Sequence, residues 1–389
     1  MLLLLILVSD AAAKTDEVGR VRVLYLGNIA LKNIMLYDPT IQVDPVPAYL
    51  FGMGLSKVQR FLRIYMPRTY GDLVDNHDVI YIGDSGVRSY SPKWLEWMSR
   101  AVVDGGVGFV MSGGSESFGG RGEDPSWSDS VMDRALPVSC EHVDSDSGYF
   151  RFFKLVVLRT DDDLMASLPF EKAPSFHYLN MHVYPKEGAV TLAQANLPEK
   201  NPAIVVMQIG RSRSVAFMPY ITDPRPQIVP FAGWTYYIDF VPNLMIYTAS
   251  APLPEDYVSM HLLRKKIGEY SNLRGLALSV LNFAEEFGAN TVRVRGVVAE
   301  ADDYMERAKA LFIKKEVDLC KDELERAIDT LEQAQDLALK AKRRAMFWIY
   351  TIEWLAVTAT LMLSGIALWE LMIRRRIYRE VEITRPAHL

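Results

Sequence analysis

The sequence predicts an α/β protein: a parallel sheet domain with a strand-rich second half, followed by an α-helical stalk and one transmembrane helix. Three observations carry this expectation. Strand and helix patterns alternate through Met111, the signature of a parallel sheet covered by helices. Long helical periodicity takes over after Pro252, and residues 345–373 carry no Lys or Arg. A chain of 389 residues suits two or three folded units. Its 50% hydrophobic and 11% aromatic content excludes wholesale disorder. A net charge of -5 offers no counter-charge to a phosphate backbone, which excludes nucleic acid as the main partner. The two cysteines, Cys140 and Cys320, can build neither a disulfide framework nor a thiolate zinc cage.

Leu2–Val8 is an unbroken aliphatic run, followed by Ser9, Asp10 and the small residues Ala11-Ala12-Ala13, so residues 1–13 are expected to be a signal peptide. No Lys or Arg precedes the run, which leaves open an upstream start, a poor signal or a buried first strand. Val21–Gly27 reads as a buried strand and Asp78–Asp84 as a second, each followed by a helix. Apolar residues recur at helical spacing from Pro47 to Tyr65. Ser91 is an N-cap with Pro92 at the first helical position, ahead of Trp94, Leu95, Met98 and Val102. Gly105-Gly106 stops that helix before a third strand, Val107–Met111. From Phe150 to Ala249 strands dominate: Phe152–Leu158, Ala189–Ala193, Ala203–Met207 and Ser214–Phe217, with a closing helix over Thr235–Thr248.

Helices are then expected over Glu255–Phe287, ended by Gly288-Ala289-Asn290, over Val297–Ile313, and from Val317 onward. In the last, Cys320, Leu324, Ala327, Leu331, Ala334, Ala338, Ala341 and Ala345 alternate at spacings of four and three, a seam of a/d type. Ala301, Met305, Ala308 and Phe312 form a matching stripe across Lys314-Lys315-Glu316. This favours an antiparallel hairpin within the chain over an intermolecular coiled coil. No Gly or Pro interrupts the final helix before Gly365. Residues 254–344 are therefore expected to form a stalk continuous with a transmembrane helix over 345–373 and a tail over 374–389.

A helix over 345–373 is roughly 44 Å long at 1.5 Å per residue, and about 20 apolar residues suffice to cross a bilayer. Trp348, Tyr350 and Trp354 near one end and Trp369 near the other occupy belt positions. Lys340, Lys342, Arg343 and Arg344 nearly balance Arg374, Arg375, Arg376, Arg379 and Arg385. The signal peptide breaks the tie, placing the N-terminal domain outside the cell membrane and the tail in the cytoplasm, a single-pass type I topology. Glu353 lies within the apolar stretch, where an acidic residue at mid-span costs about 2.5–3.5 kcal/mol. Either the helix sits lower, with Glu353 beside Trp354 in the headgroup layer, or Glu353 faces a partner helix with Thr360 and Ser364 on its side.

A series of segments follows one order along residues 20–250: Asp78–Asp84; Gly105-Gly106 and the strand to Gly113-Gly114-Ser115-Glu116-Ser117-Phe118-Gly119; and Leu136-Pro137-Val138. Gly188–Leu192, Asn201–Val205 leading to Gly210-Arg211, and Trp234–Tyr237 before Phe240 continue it. Together they resemble the class I glutamine-amidotransferase-like domains of the ThuA-like, membrane-protein type, which implies a flavodoxin-like/amidotransferase-like parallel sheet. The stalk with Glu353-Trp354 and Arg374-Arg375-Arg376-Ile377-Tyr378-Arg379 resembles the anchored tails of archaeal-type envelope proteins.

A working amidotransferase needs a thiolate on a sharp strand-to-helix elbow with a neighbouring histidine base. No Gly-x-Cys-x-Gly occurs here, and the first cysteine, Cys140, follows Pro137-Val138-Ser139 with no strand and no flanking glycine. No catalytic residue, no cofactor and no metal are therefore expected. Ser115 in Gly113-Gly114-Ser115-Glu116-Ser117 approaches a serine elbow but lacks its second glycine, and the resemblance puts this loop on the oxyanion side. Asp84, Ser115 and Glu116 follow parallel strands, where open α/β sheets bind ligands, and are the ligand-binding candidates. Capping of the following helices is the competing role. His177 and His182, five apart, would fall on opposite faces of a strand and share no metal. Asp144–Gly148 begins like a calcium loop, with Asp161-Asp162-Asp163 nearby in sequence, but the twelfth-position glutamate is missing, which favours exposed acidic turns over weak divalent binding.

The function expected is a non-catalytic, membrane-anchored extracytoplasmic component of a cell-envelope assembly, structural or interaction-based. Its expected partners are membrane lipid, attracted by the basic tail, and other envelope or membrane proteins, including a second copy of the chain. The alternative is an ectoenzyme or a carbohydrate- or small-ligand-binding protein using the strand-end crevice. A transport or sensor subunit signalling through the span is a third reading. An enzyme should show convergent polar groups and a perturbed titratable residue in the crevice, a scaffold a filled one.

Overall fold

The structure, a computed structural model, describes residues 15–142, 148–223 and 225–383. The expected signal peptide, Asp144–Ser147 of the acidic loop and Arg385 lie outside the described residues.

Strand β1 (Val21–Gly27) is buried nearly throughout because it lies inside the sheet. α1 (Lys32–Tyr37) leads to β2 (Ile41–Pro47), a strand that the hydrophobic pattern does not announce. Gln42 and Asp44 are exposed, and Pro45 and Pro47 have no N–H to give, which is tolerable because β2 is the sheet's edge. The single helical stretch expected from Pro47 to Tyr65 is two helices, α2 (Leu50–Met53) and α3 (Leu55–Tyr65), broken at Gly54. α4 (Tyr70–Asn76) opens on a capping box between Thr69 and Asp72. β3 (Val79–Gly83), α5 (Pro92–Val103) and β4 (Gly108–Gly113) follow the sequence reading, with Ser91 Oγ accepting from the Trp94 N–H at 3.4 Å.

The second half contains β5 (Val138–Cys140), β6 (Gly148–Phe153), β7 (Leu155–Val157), α6 (Asp163–Ala166), β8 (Phe176–Asn180) and β9 (Val183–Pro185). β10 (Val190–Ala195), β11 (Pro202–Ile209), β12 (Ser212–Tyr220) and α7 (Tyr237–Thr248) complete it. The expected strand over Phe152–Leu158 is thus divided between β6 and β7. Along the sheet the order is β2-β1-β3-β4-β12-β11-β10-β7, with β6 on β8 and β8 on β12. β2, β1, β3, β4 and β12 run parallel, and β11, β10 and β7 extend the sheet antiparallel. An α/β sheet with a parallel core, a strand-rich second half and long C-terminal helices is the fold class expected. α7 is buried on all sides because an aromatic core surrounds it: Phe240 lies 5.2 Å from Phe217 and 5.3 Å from Phe231, which stacks on Phe176 at 4.2 Å.

The long helices are α8 (Tyr257–Glu286), α9 (Val292–Ile313) and α10 (Val317–Ile383). The chain packs as two compact units that do not follow the break at Pro252. One comprises residues up to Gly268 with Glu306–Leu324, the other Glu269–Met305 with Glu325 onward. In the first, α9 and α10 meet as an antiparallel hairpin, where Cys320 Sγ donates to the Ala308 carbonyl at 3.3 Å and Arg307 meets Glu323 at 2.8 Å. In the second, Leu281, Val294 and Ala338 form a buried cluster, and Asp302 accepts from Tyr270 and Arg274, both at 2.6 Å. α10 contains one segment long and apolar enough to cross a membrane, and none of that segment is buried by protein.

Candidate functional site

Because β1, β3, β4 and β12 are parallel, their C-terminal ends share one edge, and the chain leaves them at Asn28, Asp84, Gly114 and Ile221. β1 lies between β2 and β3, so the direction of the connections reverses between Gly27 and Gly83, the crevice position of open α/β sheets. Gly27 has φ +100°, and a Cβ there would lie 2.1 Å from the Gly83 carbonyl oxygen. The Asn28 N–H donates to that same oxygen at 2.7 Å.

Asp84 and Glu116 do come together. Asp84 is 2% exposed with φ +47°, a strained value for a residue with a side chain, and its Oδ1 accepts from the Glu116 N–H at 2.9 Å. Glu116 is buried, and its Oε2 accepts at 3.0 Å from the N–H of Leu50, the first residue of α2. Glu116 thus serves a helix N-terminus, but that of α2, which precedes it in sequence, and not that of a following helix. Ser115 is half-buried. Asn180 holds Gly114 from both sides, accepting from its N–H and donating to its carbonyl, each at 3.0 Å. A Cβ on Gly114 would lie 2.2 Å from Asp84 Cγ, so only glycine lets the carboxylate close over the turn.

Two phenols share this electrostatic environment. Burial lifts the Tyr49 hydroxyl well above its ordinary range, with the charges of Asp84 and Glu116 adding to the effect. Burial likewise pushes Tyr220 up to about 12, and Asn28 Nδ2 donates to its hydroxyl at 3.4 Å. Sequence reasoning did not find Tyr49, Asn180 or Tyr220, which come from three separate segments. Asn28 alone carried a signal, since it directly follows a parallel strand.

Cys140 differs from expectation in ending a strand, β5. It is buried, its N–H donates to Ser128 Oγ at 2.8 Å, its carbonyl accepts from Ser126 Oγ at 2.7 Å, and burial pushes its thiol up to about 12. An activated thiolate requires the opposite shift. His177 lies in β8, whereas His182 stands outside it with φ +58°, so the single strand expected to carry both is not formed. His182 lies in the short connection between β8 and β9. Among the described residues no group of three or more His, Cys, Asp or Glu could hold a metal ion. Asp162 is spent on the α6 N-terminus, accepting from the Leu164 N–H at 2.9 Å, and Asp161 pairs with Arg159 at 3.0 Å. Glu353, Thr360 and Ser364 are exposed on α10, and the Thr360 hydroxyl donates to its own helix at the Ala356 carbonyl, 2.8 Å away.

Residues 80–249 match the family model described as "Putative glutamine amidotransferase", so the chain carries a glutamine-amidotransferase-like domain. The match begins inside β3, and the sheet extends N-terminally of it through β1 and β2. Similar solved structures include two cytoplasmic proteins from Salmonella typhimurium, 21% and 19% identical, each over 59% of this chain and 99% of its own, with TM-scores of 0.47 and 0.48. A protein from Parabacteroides merdae described as ThuA-like is 12% identical over 61% of this chain and 94% of its own, with a TM-score of 0.41. No curated protein matches the chain.

Proposed function

We propose that this chain is a membrane-anchored, single-pass extracytoplasmic protein whose amidotransferase-like domain is non-catalytic and acts as a structural or interaction component of a cell-envelope assembly. One observation carries the reading. The strand-end carboxylates Asp84 and Glu116 bind the backbone N–H groups of Glu116 and Leu50, so they hold loops together at the position where an enzyme of this fold would face its substrate. The high thiol pKa of Cys140 supports it, and the apolar segment of α10 supports the anchor. The tail's resemblance to archaeal-type envelope proteins belongs to the same reading, as does the outside placement of the domain.

The test combines activity and stability. The purified protein is expected not to hydrolyse glutamine, and Asp84→Asn and Glu116→Gln are expected to lower the melting temperature, because each weakens a buried charge-assisted hydrogen bond. Glutaminase turnover that Cys140→Ser abolishes overturns the proposal. The second reading, an ectoenzyme or small-ligand-binding protein, is favoured by the strained φ of Asp84 beside two perturbed phenols. It predicts that Asp84→Asn removes ligand binding while leaving the melting temperature unchanged.

A further inference from the structure

The second compact unit contains a cleft of about 620 Å³ where the turn after α8 meets α10. Its floor is Trp348, Ile349 and Ile352 of α10, and Phe287 from the turn forms a wall. Lys340 and Arg344 stand at its rim, both exposed, and among the described residues neither meets an acidic side chain. The nearby carboxylate of Glu285 is already taken by Arg295 at 2.6 Å, and Lys342 lies over the Phe283 ring at 4.4 Å. At the other end of the apolar segment the arrangement differs, since Arg374 is paired with Glu370 at 2.5 Å on its own helix.

We infer that this cleft binds an anionic phospholipid, its phosphate between Lys340 and Arg344 and an acyl chain along Trp348, Ile349 and Ile352. The inference rests on the membrane-anchor reading. Lys340 and Arg344 are four apart on a helix, which places their cationic ends on one side about 6 Å apart at the stems, a reach that one phosphate's oxygens can bridge, with the arginine fork taking two of them. The apolar floor starts one turn further along the same face and continues into the apolar segment, so a headgroup seated at the cations leads its acyl chain along the floor. A free phosphate would satisfy the rim and leave the floor bare, which is why the ligand is a lipid.

Alkaline-carbonate extraction of membranes containing the full chain separates the two readings. Release into the supernatant overturns the anchor, and this inference with it. If the chain is retained, native mass spectrometry of the detergent-solubilised protein with phosphatidylglycerol or phosphatidylcholine tests the cleft alone. Phosphatidylglycerol is expected to be retained in preference, with Lys340→Gln/Arg344→Gln weakening it about 30-fold, the sum of two cations near an anionic lipid. Arg374→Gln/Arg375→Gln should leave the first bound lipid in place, and inorganic phosphate should not displace it. Equal retention of both lipids, undiminished binding by the first double variant, equal loss in the second, or displacement by phosphate each overturns the inference.

Discussion

The Arg264 guanidinium donates through Nε to the Asp38 carboxylate at 2.6 Å, across 226 residues of sequence. Through Nη1 it also reaches Asp239 at 3.0 Å, and all three side chains are at most 5% exposed. Asp38 ends α1, Asp239 belongs to α7 and Arg264 to α8, so one buried cation ties the start of the long helices to the sheet domain within the first compact unit. His261 Nδ1 adds a contact to the other Asp239 oxygen at 2.7 Å.

Arg264→Met is therefore expected to cost about 3–5 kcal/mol, because it leaves two buried carboxylates without their cation. Urea denaturation of the variant measures this directly. A cost under about 1 kcal/mol would mean that water reaches the site and screens it.

Two glycines should respond oppositely to alanine. Gly114→Ala forces a Cβ against Asp84 and is expected to destabilise by about 1–3 kcal/mol, as overpacking does. Gly275 lies within α8, and a Cβ added there would meet nothing inside 4 Å, so Gly275→Ala should stabilise by about 0.5–1 kcal/mol. Thermal melts of the pair decide it, and a stability loss in Gly275→Ala would show that another surface covers that face of α8.

Two carboxylates should give opposite pH signatures. The hydrogen bond from Arg225 holds Asp223 below the usual carboxylate value of 3.8, so its stabilisation is present above that value and is lost as pH falls through the lowered one. Burial raises Asp124, which packs its Oδ1 on the Arg88 N–H at 3.0 Å; its contribution is complete below 3.8 and fades as pH rises through the raised value. In urea melts, Asp223→Asn should therefore cost stability at neutral pH and converge with the parent in acid. Asp124→Asn should gain on the parent as pH rises, and parallel profiles for both variants would contradict the assignment.

Within α10, Glu353→Leu is expected to weaken detergent-resistant oligomers or co-purification of a partner, because a carboxylate in an apolar span needs compensation. Thr360→Val should change assembly little, since the Thr360 hydroxyl already serves the Ala356 carbonyl. Unchanged assembly in Glu353→Leu would assign Glu353 to the headgroup layer.

Local signals were enough for β1, α5 and α8. A buried apolar run, a Ser-Pro cap and a glycine stop are all written within a few residues of the element they define. The edge strand β2 was hidden because its prolines and exposed Gln42 and Asp44 imitate a loop, and only its register on β1 makes it a strand. The split of the Pro47–Tyr65 helix was missed for a related reason, since helical spacing survives a one-residue break.

By itself the sequence determined the parallel βα pattern, the long apolar segment of α10, the missing elbow cysteine and the strand-end position of Asp84 and Glu116. Tertiary structure alone decided what those carboxylates do, by bringing Leu50 to one and Asn180 to the turn beside the other. It also made Arg264 a buried clamp between Asp38 and Asp239, two carboxylates from remote segments. The physical reason is the same in each case: caps and hydrophobic periodicity act over a single turn of chain, whereas desolvation and hydrogen-bond partnership depend on what remote segments bury, and no local window contains that.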